Sequence, residues 1–215
     1  KAVEKLGVKN DYQGLDFFIS EKNNYDISQL PENFQKGYYA FVIGGTYKTK
    51  ILPAVKIVEI IKKINKAVVL LGGPDDVERA EEIIYGVNET TRQQDNEGSK
   101  NSQILNLVGK INLEQSASIV RNADSVLTND TGLMHIAAAF HKNIVSVWGN
   151  TVPELGMYPY LPLEEEKCHI VECKDVRCRP CSKLGFKECP KKHFRCMMEI
   201  DVEEVVKLLD NELYS

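Results

Sequence analysis

Short runs of β-branched and large apolar residues alternate along this chain with longer stretches whose apolar positions recur every three to four residues. Residues 39–43, 67–71, 104–108, 124–127 and 144–147 are of the first kind and predict strands. Between them, residues 53–65, 75–85, 113–122 and 131–140 carry the helical period. Strand alternating with helix implies parallel βαβ units, hence an α/β, doubly wound parallel sheet with helices on both faces. A ligand then sits beyond the carboxyl ends of the strands. Farther on, Val202, Val205, Val206, Leu208, Leu209 and Leu213 form a helical stripe that predicts a helix docked on the core. Residues 86–103 are polar, charged and nearly free of large apolar side chains, which predicts a mobile insertion between the second helix and the third strand.

Three loops fall at the predicted carboxyl edge. The turn Asn129-Asp130-Thr131-Gly132 leads from a buried strand into a helix rich in alanine. Asp130 or Thr131 is placed to cap that helix, and Gly132 lets a ligand approach the backbone. The free N–H groups of the first turn and the positive end of the helix dipole favour a phosphate there. His135 follows Thr131 by four residues, so both face one side of the helix, while Met134 is placed to line an apolar side of the pocket. A capping aspartate and a core histidine would read the same way. In the first loop, Gly44 and Gly45 permit a tight turn, Thr46 offers a hydroxyl and Lys48 or Lys50 a positive charge. In the second, Gly72 and Gly73 precede Pro74, Asp75 and Asp76, with Asp75 a candidate helix cap. Asp76 or Glu78 can accept hydrogen bonds from ribose hydroxyls, although acids in a first helical turn are also ordinary helix chemistry.

Residues 129–139, followed by 144–151 and Pro153, resemble the signature of glycosyltransferase family nine, the ADP-heptose:lipopolysaccharide heptosyltransferases and their relatives. Residues 44–53 look like that family's donor loop and residues 71–78 like its second nucleotide loop, in matching order and spacing. The resemblance implies a Rossmann-like sheet forming the C-terminal, donor-binding half of a two-domain GT-B enzyme. It makes Lys50 the phosphate-contacting lysine and puts the general base in an N-terminal acceptor half that this sequence lacks. Donor contacts then fall on Thr46, Lys50, Gly73, Asp76, Glu78, Asn129, Asp130, Thr131, Gly132, Met134 and His135, with no catalytic residue in this chain. The implied reaction is inverting transfer from a nucleotide-diphosphate sugar, ADP-heptose, to a lipid-linked acceptor of the lipopolysaccharide core. The enzyme is then cytoplasmic or peripheral at the inner face of the inner membrane. No metal is required, and no Asp-X-Asp loop is present to hold one.

Length and composition fit one donor-binding domain. The 215 residues, 43% of them hydrophobic, suffice for one core. They divide into an entry segment (1–36), a core (37–165), a cysteine-rich segment (166–200) and a C-terminal helix (201–215). A net charge of −4, with basic residues gathered only near Lys187 to Arg195, argues against nucleic acid as a partner. All six cysteines lie between Cys168 and Cys196. Cys178, Cys181, Cys189 and Cys196 are compatible with a structural zinc, yet their spacing fits no standard zinc module; reduced thiols or a local disulfide are the alternatives. Two other functions stay open on sequence alone: a non-catalytic nucleotide-sugar-binding module, and a metal or redox module centred on the cysteines.

Overall fold

The computed structural model describes residues 4–93 and 103–210, without the side chains of residue 4 and residues 90–93. Six strands, β1 (Tyr38–Val42), β2 (Ala67–Leu71), β3 (Ile104–Asn106), β4 (Ser125–Asn129), β5 (Asn143–Trp148) and β6 (Cys168–Glu172), form one sheet in the order β3-β2-β1-β4-β5-β6. Every neighbouring pair is parallel. The central strands are buried on both faces, as continuous apolar runs such as Ala67-Val68-Val69-Leu70-Leu71 require.

Alternate residues of each strand feed two cores. Tyr39, Phe41, Val68 and Leu70 pack with α2 (Ala54–Lys63), α3 (Val77–Gln93) and α7 (Val202–Leu209). Tyr38, Ala40, Val42 and Val69 point the other way, toward α1 (Glu32–Gln35), α4 (Leu113–Asn122) and α5 (Gly132–Ala139). The predicted docking of the C-terminal helix is therefore present over Val202–Leu209, Leu213 of the expected stripe lying outside the described residues, and the last carbonyls of α7 have partners. Ser125 Oγ donates to Leu209 O at 2.7 Å and Asn143 Nδ2 to Leu208 O at 3.0 Å. α4 begins on a reciprocal capping box in which Asn112 and Gln115 exchange side chain to backbone bonds of 2.9 and 3.0 Å. The entry segment reaches the core as well, burying Leu30 and Phe34.

Three expectations change. α3 does not stop near residue 85 but continues to Gln93, so the first part of the expected insertion is helix. Gly86 is no breaker there. A methyl group added at Gly86 would come within 3.0 Å of Val58, so the glycine lets α3 lie close on α2, and Val87 extends the buried stripe of Ala80 and Ile83. Residues 94–102 of that expected insertion lie outside the described residues. β6 was hidden in the cysteine-rich segment, because an edge strand that buries only Val171 fully carries a weak apolar signal. Asp75 caps no helix; Gly73 takes that place ahead of a short 3₁₀ turn, Pro74–Asp76.

Beyond β5, the chain crosses the carboxyl edge at Gly149. A methyl group there would stand 2.7 Å from the Thr49 carbonyl oxygen and 2.7 Å from Met197 Cε. Because one of these neighbours is backbone, Gly149→Ala is expected to destabilise the fold by about 1–3 kcal/mol, as overpacking does. Chemical denaturation of the two proteins measures this.

Candidate functional site

β1 and β4 are neighbours in the sheet, but the chain leaves β1 toward β2 and leaves β4 toward β5. Their following loops diverge and open a crevice at the carboxyl edge. Asn129, at the end of β4, ties the two loops together beneath it. Its Oδ1 accepts from Leu52 N at 3.0 Å, and its Nδ2 donates to the carbonyls of Val42 and Gly44 at 3.3 Å each. Asn129 is 2% exposed, so it acts as the floor of the crevice and offers no free group to a ligand.

Next in sequence, Asp130 does not cap α5. Its Oδ2 meets Lys50 Nζ at 2.6 Å and accepts from Thr151 Oγ1 at 3.1 Å. The two charged side chains are only 11% and 6% exposed, so each neutralises the other where water cannot. Thr131 occupies the N-cap position with extended backbone, yet its side chain makes no capping bond. It turns instead toward Thr128, the two hydroxyls 3.3 Å apart. The start of α5 is thus left without a side-chain cap, which suits an external anion.

Two adjoining cavities open on this turn. The smaller, about 150 Å³, is lined by Gly45, Thr46, Tyr47, Lys50, Asp130, Thr131, Gly132 and Leu184. The larger, about 450 Å³, shares Gly45, Thr131 and Gly132 and runs between the Gly72-Gly73 turn and the start of α4 at Ile111, Asn112 and Leu113. One cavity is polar and carries a cation; the other is a slot walled by glycine backbone and apolar side chains. Asp76 braces the slot, accepting from Gly73 N at 2.9 Å. Its carboxylate lies so close to Gly44 that a methyl group there would stand 2.0 Å from Oδ2.

Of the residues singled out in sequence, Thr46, Lys50, Gly73, Asp76, Asp130, Thr131 and Gly132 line these cavities. Three do not. Met134 is fully buried in the hydrophobic core, because its position on α5 points into the sheet. Glu78 is exposed and His135 half-buried, and neither lines either of these two cavities. Sequence reasoning also passed over Thr151 and Arg179. The Arg179 guanidinium, 5% exposed, donates to the carbonyls of Trp148, Gly149, Thr151 and Cys173 and pairs with Glu172 at 2.8 Å. It pins the cysteine-rich segment over the end of β5 and fixes the residue that holds Asp130. The Asn-x-x-Gln capping signature at residues 112–115 was legible and would have located the far wall of the slot.

All six thiols are free, and among the described residues no three His, Cys, Asp or Glu side chains are arranged to hold a metal ion, so the zinc option at Cys178, Cys181, Cys189 and Cys196 finds no support. Their chemistry is uneven. Burial pushes the Cys168 and Cys196 thiols up to about 11. Burial also raises Cys189, but N–H donors from Phe194, Lys191, His193 and Lys192 outweigh it and bring that thiol below its ordinary range.

Two outcomes follow. Asp130→Ala leaves a nearly buried ammonium unpaired and should cost about 3–5 kcal/mol, whereas the double change Lys50→Met/Asp130→Leu should cost much less; urea unfolding of both decides it. Under iodoacetamide at mildly alkaline pH, Cys189 should be alkylated before Cys168 and Cys196, as peptide mass spectrometry would record.

A model described as glycosyltransferase family 9 (heptosyltransferase) matches residues 2–193. Over 116 residues the chain is 33% identical to lipooligosaccharide heptosyltransferase 2 of Haemophilus influenzae, an alignment covering 54% of this chain and 30% of that protein. The fold is shared with two solved Escherichia coli proteins. ADP-heptose lps heptosyltransferase II superposes with a TM-score of 0.64 at 21% identity, covering 92% of this chain and 53% of that one. Heptosyltransferase WaaC with ADP superposes with a TM-score of 0.60 at 20% identity, covering 97% and 53%. The chain therefore spans about half the length of these solved relatives and less of the curated one. With the family model matching nearly its whole length and the parallel sheet in common with solved members, the chain belongs to glycosyltransferase family 9, the heptosyltransferases.

Proposed function

We propose that this chain is the C-terminal, donor-binding half of a glycosyltransferase that transfers a sugar from a nucleotide diphosphate, ADP-heptose, to a lipid-linked acceptor of the lipopolysaccharide core. The observation that carries the reading is the uncapped start of α5 beside the nearly buried Lys50, opening on a slot large enough for a nucleoside. In this reading the base lies flat between the Gly72-Gly73 turn and Ile111 to Leu113. The diphosphate lies over Gly45, Thr131 and Gly132. Lys50 has three N–H donors and uses one on Asp130, so it can donate to a phosphate oxygen without losing its partner. Thr46, exposed at the mouth, supplies a hydroxyl.

Cleavage of the sugar–phosphate bond leaves negative charge on the departing nucleotide diphosphate. The α5 dipole, its free amides and Lys50 are fixed before that charge develops, which is the arrangement that lowers a barrier. An inverting reaction also needs a base to take the proton of the acceptor hydroxyl. We assign that base to the other half of the enzyme, so this chain by itself binds donor and transfers little. The relative solved with ADP has the same fold, which favours a nucleotide in this crevice and adenine as the base.

Titration calorimetry of this chain with ADP, UDP, GDP and ADP-heptose tests the reading. Adenine ligands should bind best, and Lys50→Ala should weaken them about ten- to a hundredfold, the worth of one charge-assisted bond. Equal or absent binding of all four would overturn it.

A further inference from the structure

The basic stretch near Lys187 to Arg195 and the residues just before it meet the donor crevice only at Leu184 and otherwise carry a run of lysines. Lys183, Lys187, Lys191 and Lys192 are all exposed, and none is in an ion pair with a described residue, whereas Arg195 nearby is engaged by Glu199 at 2.6 Å. The only acid within residues 183–192 is Glu188, in a chain whose overall charge is −4. Lys187 and Lys192 share a groove of about 520 Å³ with Lys48 and Arg79 from the loop before α2 and the start of α3, four cations against the two acids Glu82 and Glu188 that also line it.

Among these cations stand large apolar side chains in contact with water. Leu184 is 60% exposed, Phe186 38% and Met198 41%. The segment that presents them is held in place. Phe186 N donates to Thr49 Oγ1 at 2.8 Å, and its carbonyl accepts from Thr49 Oγ1 at 3.0 Å and Thr49 N at 3.2 Å. Gly185 sits against the Tyr47 ring, where a methyl group would come within 2.6 Å of Tyr47 Cβ. Leu184 closes one side of the cavity that contains Lys50.

We infer that residues 183–192 form a docking surface for an anionic phospholipid bilayer, with the lysines against the headgroups and Leu184 and Phe186 entering between them. A small phosphate would satisfy the lysines but leave both apolar side chains in water. A charged interface that also offers apolar depth accounts for both, since a lysine near an anionic surface and a buried hydrocarbon side chain each contribute. The tether to Thr49 means that docking sets the donor crevice at the membrane, where a lipid-linked acceptor is presented. The surface itself requires no nucleotide, so its test is separate from that of the donor site.

Co-sedimentation of this chain with phosphatidylcholine vesicles, with and without phosphatidylglycerol, decides the matter. Binding is expected only to the vesicles containing phosphatidylglycerol, falling as salt rises. Lys187→Ala/Lys191→Ala/Lys192→Ala should weaken it about a hundredfold, roughly fivefold per lysine, and Phe186→Asp should weaken it too, while Glu188→Lys should strengthen it. Thermal melts of each variant identify any that fail to fold, and the gain in Glu188→Lys cannot arise from misfolding. Absence of binding, equal binding to neutral vesicles, full retention by the triple variant, or complete displacement by inorganic phosphate at matched ionic strength would overturn the inference.

Discussion

A single nearly buried ion pair, Lys50 with Asp130, joins the two loops between which the crevice of this protein opens. Parallel strands whose connections leave in opposite directions must part at the switch point, and nothing in the sheet itself holds their loops together. Here the Asn129 side chain bonds backbone of the β1 loop, and the carboxylate of Asp130 draws in its lysine. Thr151, arriving from β5, accounts for the same carboxylate oxygen, and Arg179 fixes the backbone of Thr151. Lys50 and Thr151 thus meet on one carboxylate, and Arg179 holds Thr151 from behind. With Asp130 engaged in this way, α5 begins without a side-chain cap, at Gly132, which lines both cavities.

Much of this was legible in the sequence, for identifiable reasons. Runs such as residues 67–71 can only be strands buried on both sides, and their alternation with helical periods fixes a parallel sheet whose loops share one edge. Glycines and a lysine at that edge mark where a phosphate can approach. What escaped was decided by tertiary contact. The residues from Gly86 on read as a polar insertion until α2 is seen lying against Gly86, and Asp130 reads as a cap until Lys50 arrives from eighty residues away. Met134 and His135 were assigned by spacing along α5, but rotation about a short, almost wholly apolar helix is set by what packs beneath it. Arg179 carried no signal, since an arginine followed by a proline in a cysteine-rich stretch gives no hint of the carbonyls it will gather.

The cysteine-rich segment has a structural place in this arrangement whatever the state of its thiols. It adds the edge strand β6, delivers Arg179 to the end of β5, and carries the basic loop that leans on Thr49. The Lys50 loop and the Asp130 loop are therefore both held from outside the central sheet. Its role is that of a brace, with Leu184 and Phe186 exposed at its tip.

In the proposed function the start of α5 and Lys50 together hold the diphosphate of a nucleotide sugar, and a crystal structure of this chain with ADP tests this. Phosphate oxygens are expected within hydrogen-bond reach of the Gly132 region amides and Lys50 Nζ, with the Lys50–Asp130 pair still made and the adenine in the slot beside Gly73. ADP bound elsewhere, or bound at this edge with Lys50 turned away from the phosphates, would contradict it.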